Sequence, residues 1–148
     1  MIITYTQDDG TAERVTTDDL SAIEAAAIEE AMGDVPWRAI EDRLRGQDPT
    51  AMRAVLWAYR RRTEKTLAFA SFDVPGWRRR LTARIERTEI DEVLSNILAE
   101  ALAKNEDSAI DSMLPHLRKL AADPADVERA LDAVGKGHLV PDRTVSED

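Results

Sequence analysis

Apolar residues recur along most of this chain at the three- and four-residue steps of amphipathic helices. The first stretch differs. "IITYTQ" and "AERVTT" are rich in β-branched residues and flank Asp8-Asp9-Gly10, which predicts a short β-hairpin. Two strands alone are marginal, so this hairpin must lean on helices or pair elsewhere. An exposed edge there is open to a neighbouring subunit.

"TTDDLSAIEAAAIEEAMG" predicts the clearest helix, with Thr16 or Thr17 as its cap, Asp18 and Asp19 at its positive end, and Gly33 as its stop. Leu20, Ile23, Ala27 and Ile28 form its expected stripe. After Pro36, Trp37, Ile40 and Leu44 predict a shorter helix ended by Gly46. "DPTAMRAVLWAYRRR" opens with Asp48 as cap and Pro49 at the first helical position. Its core stripe is Met52, Val55, Leu56 and Tyr59. Trp57 lies about 140° from Met52, on the side of Arg53, Arg60 and Arg61. The stretch "TEKTLAFASFDVPGW" is too apolar for a linker and is expected to fold back over the helices.

Trp77 to Arg87 reads as a fourth helix, with Trp77, Leu81 and Ile85 on one face and Arg80, Arg84 and Arg87 on another. The apolar face jumps near Thr88, which predicts a break and a new helix capped by Thr88 with Asp91. Pro115 is expected to kink or divide the helical pattern that follows. Asp123-Pro124 starts a last helix with Val127, Leu131 and Val134 as its stripe. The fold class expected is mainly α: a compact multi-helix domain with a short N-terminal β-hairpin. It occupies residues 1–137 as one helical domain, with candidate sub-boundaries near 75–77 or at 88. Residues 138–148 read as a disordered acidic tail.

Composition narrows the chemistry. With aromatics at 5%, the core must be built mainly from Leu, Ile, Val and Ala. The absence of cysteine excludes disulfides and thiolate chemistry. No apolar run approaches the roughly 20 residues of a membrane span, and the first residues do not read as a signal peptide, so a soluble cytoplasmic protein is expected. The charge is segregated. Residues 1–52 carry 4 basic and 12 acidic groups, residues 53–87 carry 10 and 3, and residues 88–148 carry 6 and 14. The basic middle has two readings. It pairs with the acidic ends of its own chain or a neighbour's, or it binds nucleic acid. The first is favoured, because acidic flanks repel phosphates at long range.

Neither His116 nor His138 has a carboxylate at metal-ligand spacing, so no metal site is expected. Phosphate-loop, dinucleotide and nucleophile-elbow motifs are missing, and "VGKG" at 134–137 lacks the flanking residues of a phosphate loop. The acidic pairs, such as Asp18-Asp19 and Glu29-Glu30, read as solvated faces. No catalytic residue, cofactor or enzymatic activity is expected.

"RVTTDDLSAIEAAAIEEAMGDVPWRAIEDRLRGQDPTAMRAVLWAYRRR", followed by "TLAFASFDV", resembles the small tail assembly chaperones of long-tailed bacteriophages. The likeness lies in an order of pieces over residues 13–74. A Thr/Asp-rich segment leads into a Leu–Ile–Glu-rich helix, then a Gly and a short Trp-containing helix. A "DP" start, a helix ending in arginines and an "F-D-V" segment complete it. The resemblance implies a helical protein of the host cytoplasm that acts during assembly and is absent from finished particles. It also implies binding of the tape-measure protein, recruitment of tail tube subunits, and self-association. A longer product made by ribosomal frameshifting is a further implication, and Val134–Lys136 is encodable by a slippery heptamer.

A chaperone of long helical clients needs a groove that accepts amphipathic helices. Trp37, Trp57 and Trp77 are the candidate anchors, with Arg80, Arg84 and Arg87 as candidate partner-binding cations. The alternatives are a nucleic-acid-binding regulator using residues 53–87, and a structural head–tail connector.

Overall fold

The computed structural model describes residues 1–106 and 108–137. The protein is mainly helical, with seven helices among the described residues and a small three-stranded antiparallel sheet. The chain divides into two compact units, Met1–Ile85 and Glu86–Asp148. The expectation for 138–148, a disordered tail, lies outside the described residues, as does His138.

The first unit is built on the expected hairpin. β1 (Ile2–Thr6) and β2 (Ala12–Thr16) pair antiparallel around the Asp8-Asp9-Gly10 turn, where Gly10 takes a positive φ of 84°. The hairpin does find a further partner. Leu81–Arg84 forms a third strand, β3, on the free side of β1, so the sheet order is β2-β1-β3. Val15, Ile3 and Ala83 stand opposite one another across the three strands, and all three are buried.

This strand overturns the fourth helix expected over Trp77–Arg87. Only one turn, α4 (Trp77–Arg80), is helical. Leu81 and Ile85 sit four residues apart, a spacing that suits a helix face and a strand face alike. Ala83 decides between them. In a helix it would point about 160° away from both, whereas in the strand Leu81 and Ala83 share one buried face, which Ile85 continues just past its end. The unpaired edge of β1, far away in sequence, selects the second option.

Around the sheet lie α1 (Ala22–Ala31), α2 (Trp37–Arg45) and α3 (Pro49–Arg60). The cap of α1 is Ser21, in a reciprocal capping box with Glu24. Thr16 instead caps the single 3-10 turn Thr17–Asp19 that precedes it. In α3 the expected start is present: the Asp48 carboxylate accepts the amide N–H groups of Thr50 and Ala51, and Pro49 follows it. α3 is the centre of this unit, with Ala51, Met52 and every residue from Ala54 to Ala58 buried. Between α2 and α3, Gln47 adopts a left-handed φ of 59°. Its side-chain amide accepts the Ala83 N–H at 3.0 Å and donates to the Ala83 carbonyl at 2.8 Å. One side chain thus does for the outer edge of β3 what a neighbouring strand would do.

The second unit is three mutually packed helices, α5 (Arg87–Lys104), α6 (Ser108–Leu120) and α7 (Ala125–Gly137). The expected cap at Thr88 with Asp91 is displaced by two residues, to a capping box of Glu86 with Glu89. Asn105, in a left-handed conformation, ends α5. Pro115 lies inside α6 without dividing it. Ile90, Leu94, Leu117, Leu120, Val127 and Ala130 are buried. Leu102 and Met113 are exposed.

Candidate interaction surface

The end of α3 distributes its arginines in three directions. Arg60 forms a bidentate pair with Glu13 of β2, at 3.0 and 2.7 Å. Arg61 stacks over the Trp57 ring at 4.9 Å. Arg62 reaches back to α1 and grips both carboxylate oxygens of Glu24, at 2.6 and 2.9 Å, while donating to the Asp19 carbonyl and covering the Tyr59 ring. Consecutive helical residues point about 100° apart, so three adjacent arginines meet three separate partners.

These pairs set the local electrostatics. The Arg62 guanidinium hydrogen-bonded to Glu24 is the main reason that carboxyl is lowered to about 2, with partial burial opposing it. Hydrogen bonding to Glu24 likewise raises Arg62. Glu13 raises Arg60 in the same way. Burial raises the Tyr59 hydroxyl, which donates to the Thr16 carbonyl at 2.5 Å. Exposed pairs of this kind add little to stability; their consequence here is the direction they impose on each arginine.

Trp57 is where the sequence reading needs correction. On the isolated helix it is turned away from the core stripe, but in the protein it is only 6% exposed. The segment after α3 folds back over it, as its apolar composition requires. The Trp57 indole N–H donates to the Leu67 carbonyl at 2.9 Å, and Phe69 packs edge-on against the ring at 5.4 Å. Arg53 holds the same segment by donating to the Phe69 and Phe72 carbonyls at 2.8 and 2.6 Å, with its guanidinium 3.9 Å from the Phe69 ring centre. A tryptophan among arginines is therefore a second core, closed by its own chain. It leaves only its rim to a partner.

The other candidates do not come together. Trp37 is half-buried at the start of α2, where its backbone N–H donates to Glu29 at 2.6 Å. Trp77 is 37% exposed, with Arg78 stacked on its ring at 5.4 Å. The predicted arginine stripe is dissolved by β3. Arg80 pairs with Asp8 of the hairpin turn, and this contact raises its pKa. Arg84 donates to the side-chain oxygen of Gln47 at 3.1 Å. Arg87 belongs to α5 and pairs with Asp91 one turn on, at 2.9 Å.

A surface feature not anticipated from the sequence lies between α1 and the end of α3. It is an open groove of about 300 Å³ whose apolar lining is Ile23, Ala27, Trp57 and Ala58. The charged side chains that line it are Glu24, Arg61, Arg62 and Lys65. Ile23 is 84% exposed. The expected stripe of α1 was too wide: Ile28, which is fully buried, and Ile23 are about 140° apart on a helix, so one face cannot hold both. That spread of apolar residues around α1 was the available signal.

Among the described residues there is no group of three His, Cys, Asp or Glu side chains that could hold a metal ion, and no helix long and apolar enough to cross a membrane. Comparison of the chain with protein-family models, with curated proteins and with solved structures finds no match.

Proposed function

We propose that this protein is a tail assembly chaperone of a long-tailed bacteriophage, which binds the tape-measure protein through its helical segments and keeps it soluble until tail tube subunits are recruited. It acts by binding and not by catalysis, in the host cytoplasm, and leaves before the particle is finished. The observation that carries this reading is the α1–α3 groove. A helix-binding protein requires an apolar concavity on a rigid frame. Here Ile23 stands exposed beside one, on a helix fixed by its capping box and by Arg62. The order of sequence pieces over residues 13–74 supports the choice of family.

The nucleic-acid reading is weakened by where the basic residues are spent. Arg53, Arg60, Arg62, Arg80 and Arg84 all have partners within the first unit. The deciding experiment is co-expression with the long helical reading frame next to this gene. The client is expected in the soluble fraction and in complex with the chain. A client that stays insoluble, or this chain recovered in mature particles at structural stoichiometry, would overturn the reading. The latter would favour a connector, and heparin binding with a steep salt dependence would favour a regulator. Codons at 134–136 that cannot slip, or the lack of an overlapping downstream frame, would remove the frameshifted product.

A further inference from the structure

α1 carries apolar side chains on two sides, and only one side is used by the core. Single exposed apolar residues are common and need no explanation. Ile23 differs because it borders a concavity that Ala27, Trp57 and Ala58 also line. The groove therefore offers a partner apolar surface that the described residues of the first unit leave uncovered. At about 300 Å³ it is at the lower end of concave binding sites, a size for a few side chains and not for a large cofactor.

The charged side chains decide the charge of the occupant. Arg62 is neutralised by Glu24. Arg61 lies on the Trp57 ring and has no carboxylate partner among the described residues, and the same holds for Lys65. The surplus is therefore positive. Its two cations lie four residues apart in sequence, and both line the groove. We infer that the groove takes an acidic amphipathic helix, with an apolar side chain packed against Ile23 and Ala27 and a carboxylate one turn away facing Arg61 and Lys65. A basic helix would meet two unpaired cations and be rejected, which supplies a selectivity that an apolar groove alone lacks. The inference deepens the chaperone reading and rests on it for the source of the helix, while the chemistry comes from the groove.

The test separates the two. A capped helical peptide of about 20 residues, long enough to be helical in water, carries leucines at i and i+4 with glutamates one turn on; a second version replaces each glutamate by lysine. Calorimetry against the full chain is expected to show the glutamate peptide binding at least about tenfold more tightly than the lysine peptide, a difference of about 1.4 kcal/mol. Ile23→Asp should abolish binding of the glutamate peptide, and Lys65→Glu, which cancels the surplus positive charge, should remove the preference. Both positions are exposed, so the fold is retained. Equal affinity for the two peptides, binding of neither, or binding that survives Ile23→Asp would overturn the inference. Co-expression of the Ile23→Asp chain with the client then splits the outcomes. A client still solubilised leaves the chaperone standing and removes the groove. Peptide binding without solubilisation by the unaltered chain does the reverse.

Discussion

α1 and α3 are both alanine-rich, well capped and packed against each other, yet they treat their second sides in opposite ways. α3 is wrapped: the stripe Met52, Val55 and Leu56 faces one way, and Trp57 on the far side is roofed by residues 63–72. α1 is bare: Ile28 is sealed and Ile23 is left in solvent. The helical pattern favours the reverse, an outward tryptophan on α3 and a single stripe on α1. What covers a helix is decided by non-local chain. The segment after α3 returns to it because Phe69 and Phe72 present carbonyls to Arg53 and rings to Arg53, Trp57 and Arg60. Nothing in the described residues of the first unit does the same for Ile23.

The contrast can be broken most strongly at Trp57. Trp57→Ala removes the pillar of the roofed side and is expected to destabilise the protein by about 3–5 kcal/mol, read as a lower midpoint in urea unfolding. A loss below 1 kcal/mol would mean that the roof is decorative and Trp57 is free for a partner. Arg53→Met keeps the stem but removes two charge-assisted hydrogen bonds. It should cost about 1–3 kcal/mol and expose residues 63–72 to limited proteolysis. Cleavage elsewhere, or none, would contradict the assigned role of Arg53.

Smaller effects sharpen the joint between the two helices. Glu24 titrates lower in the folded protein than in the unfolded chain, so on acidification the unfolded chain takes up this proton first. Its stabilisation is complete above about 4.5 and is lost as pH falls towards about 2. Glu24→Gln should flatten stability in that window and cost about 0.5–1 kcal/mol at neutral pH, since the pair is partly exposed. An unchanged pH profile would rule out the pairing with Arg62. The smallest effect on stability belongs to Ile23→Asp, within about 0.5 kcal/mol by chemical denaturation. A larger loss would place Ile23 in the core and close the groove.

How much of this was legible in the sequence depends on the range of the interaction that fixes each element. The hairpin, α2 and the Asp48-Pro49 start of α3 are set by neighbours in sequence and were readable from turn, cap and period. β3 was not, because Leu81 and Ile85 satisfy both periods and the deciding partner is Ile3, which pairs with Ala83. The candidate site suffered from the same blindness. Trp57 stands out by its neighbours on the helix but is covered by chain far from them, while Ile23 and Ile28, about 140° apart, cannot share one stripe. The pairing of the basic middle with acidic residues of its own chain was readable, because charge segregation is visible without contacts. Glu13, Glu24 and Asp8 are its partners in the first unit.

Gln47 has a consequence of another kind. A sheet edge with free N–H and C=O groups is a seed on which identical chains add strand by strand. At β3 both groups of Ala83 are already held by the Gln47 amide. An incoming strand would have to displace two hydrogen bonds before forming its own. This single glutamine therefore guards one of the two edges along which the sheet could spread from molecule to molecule.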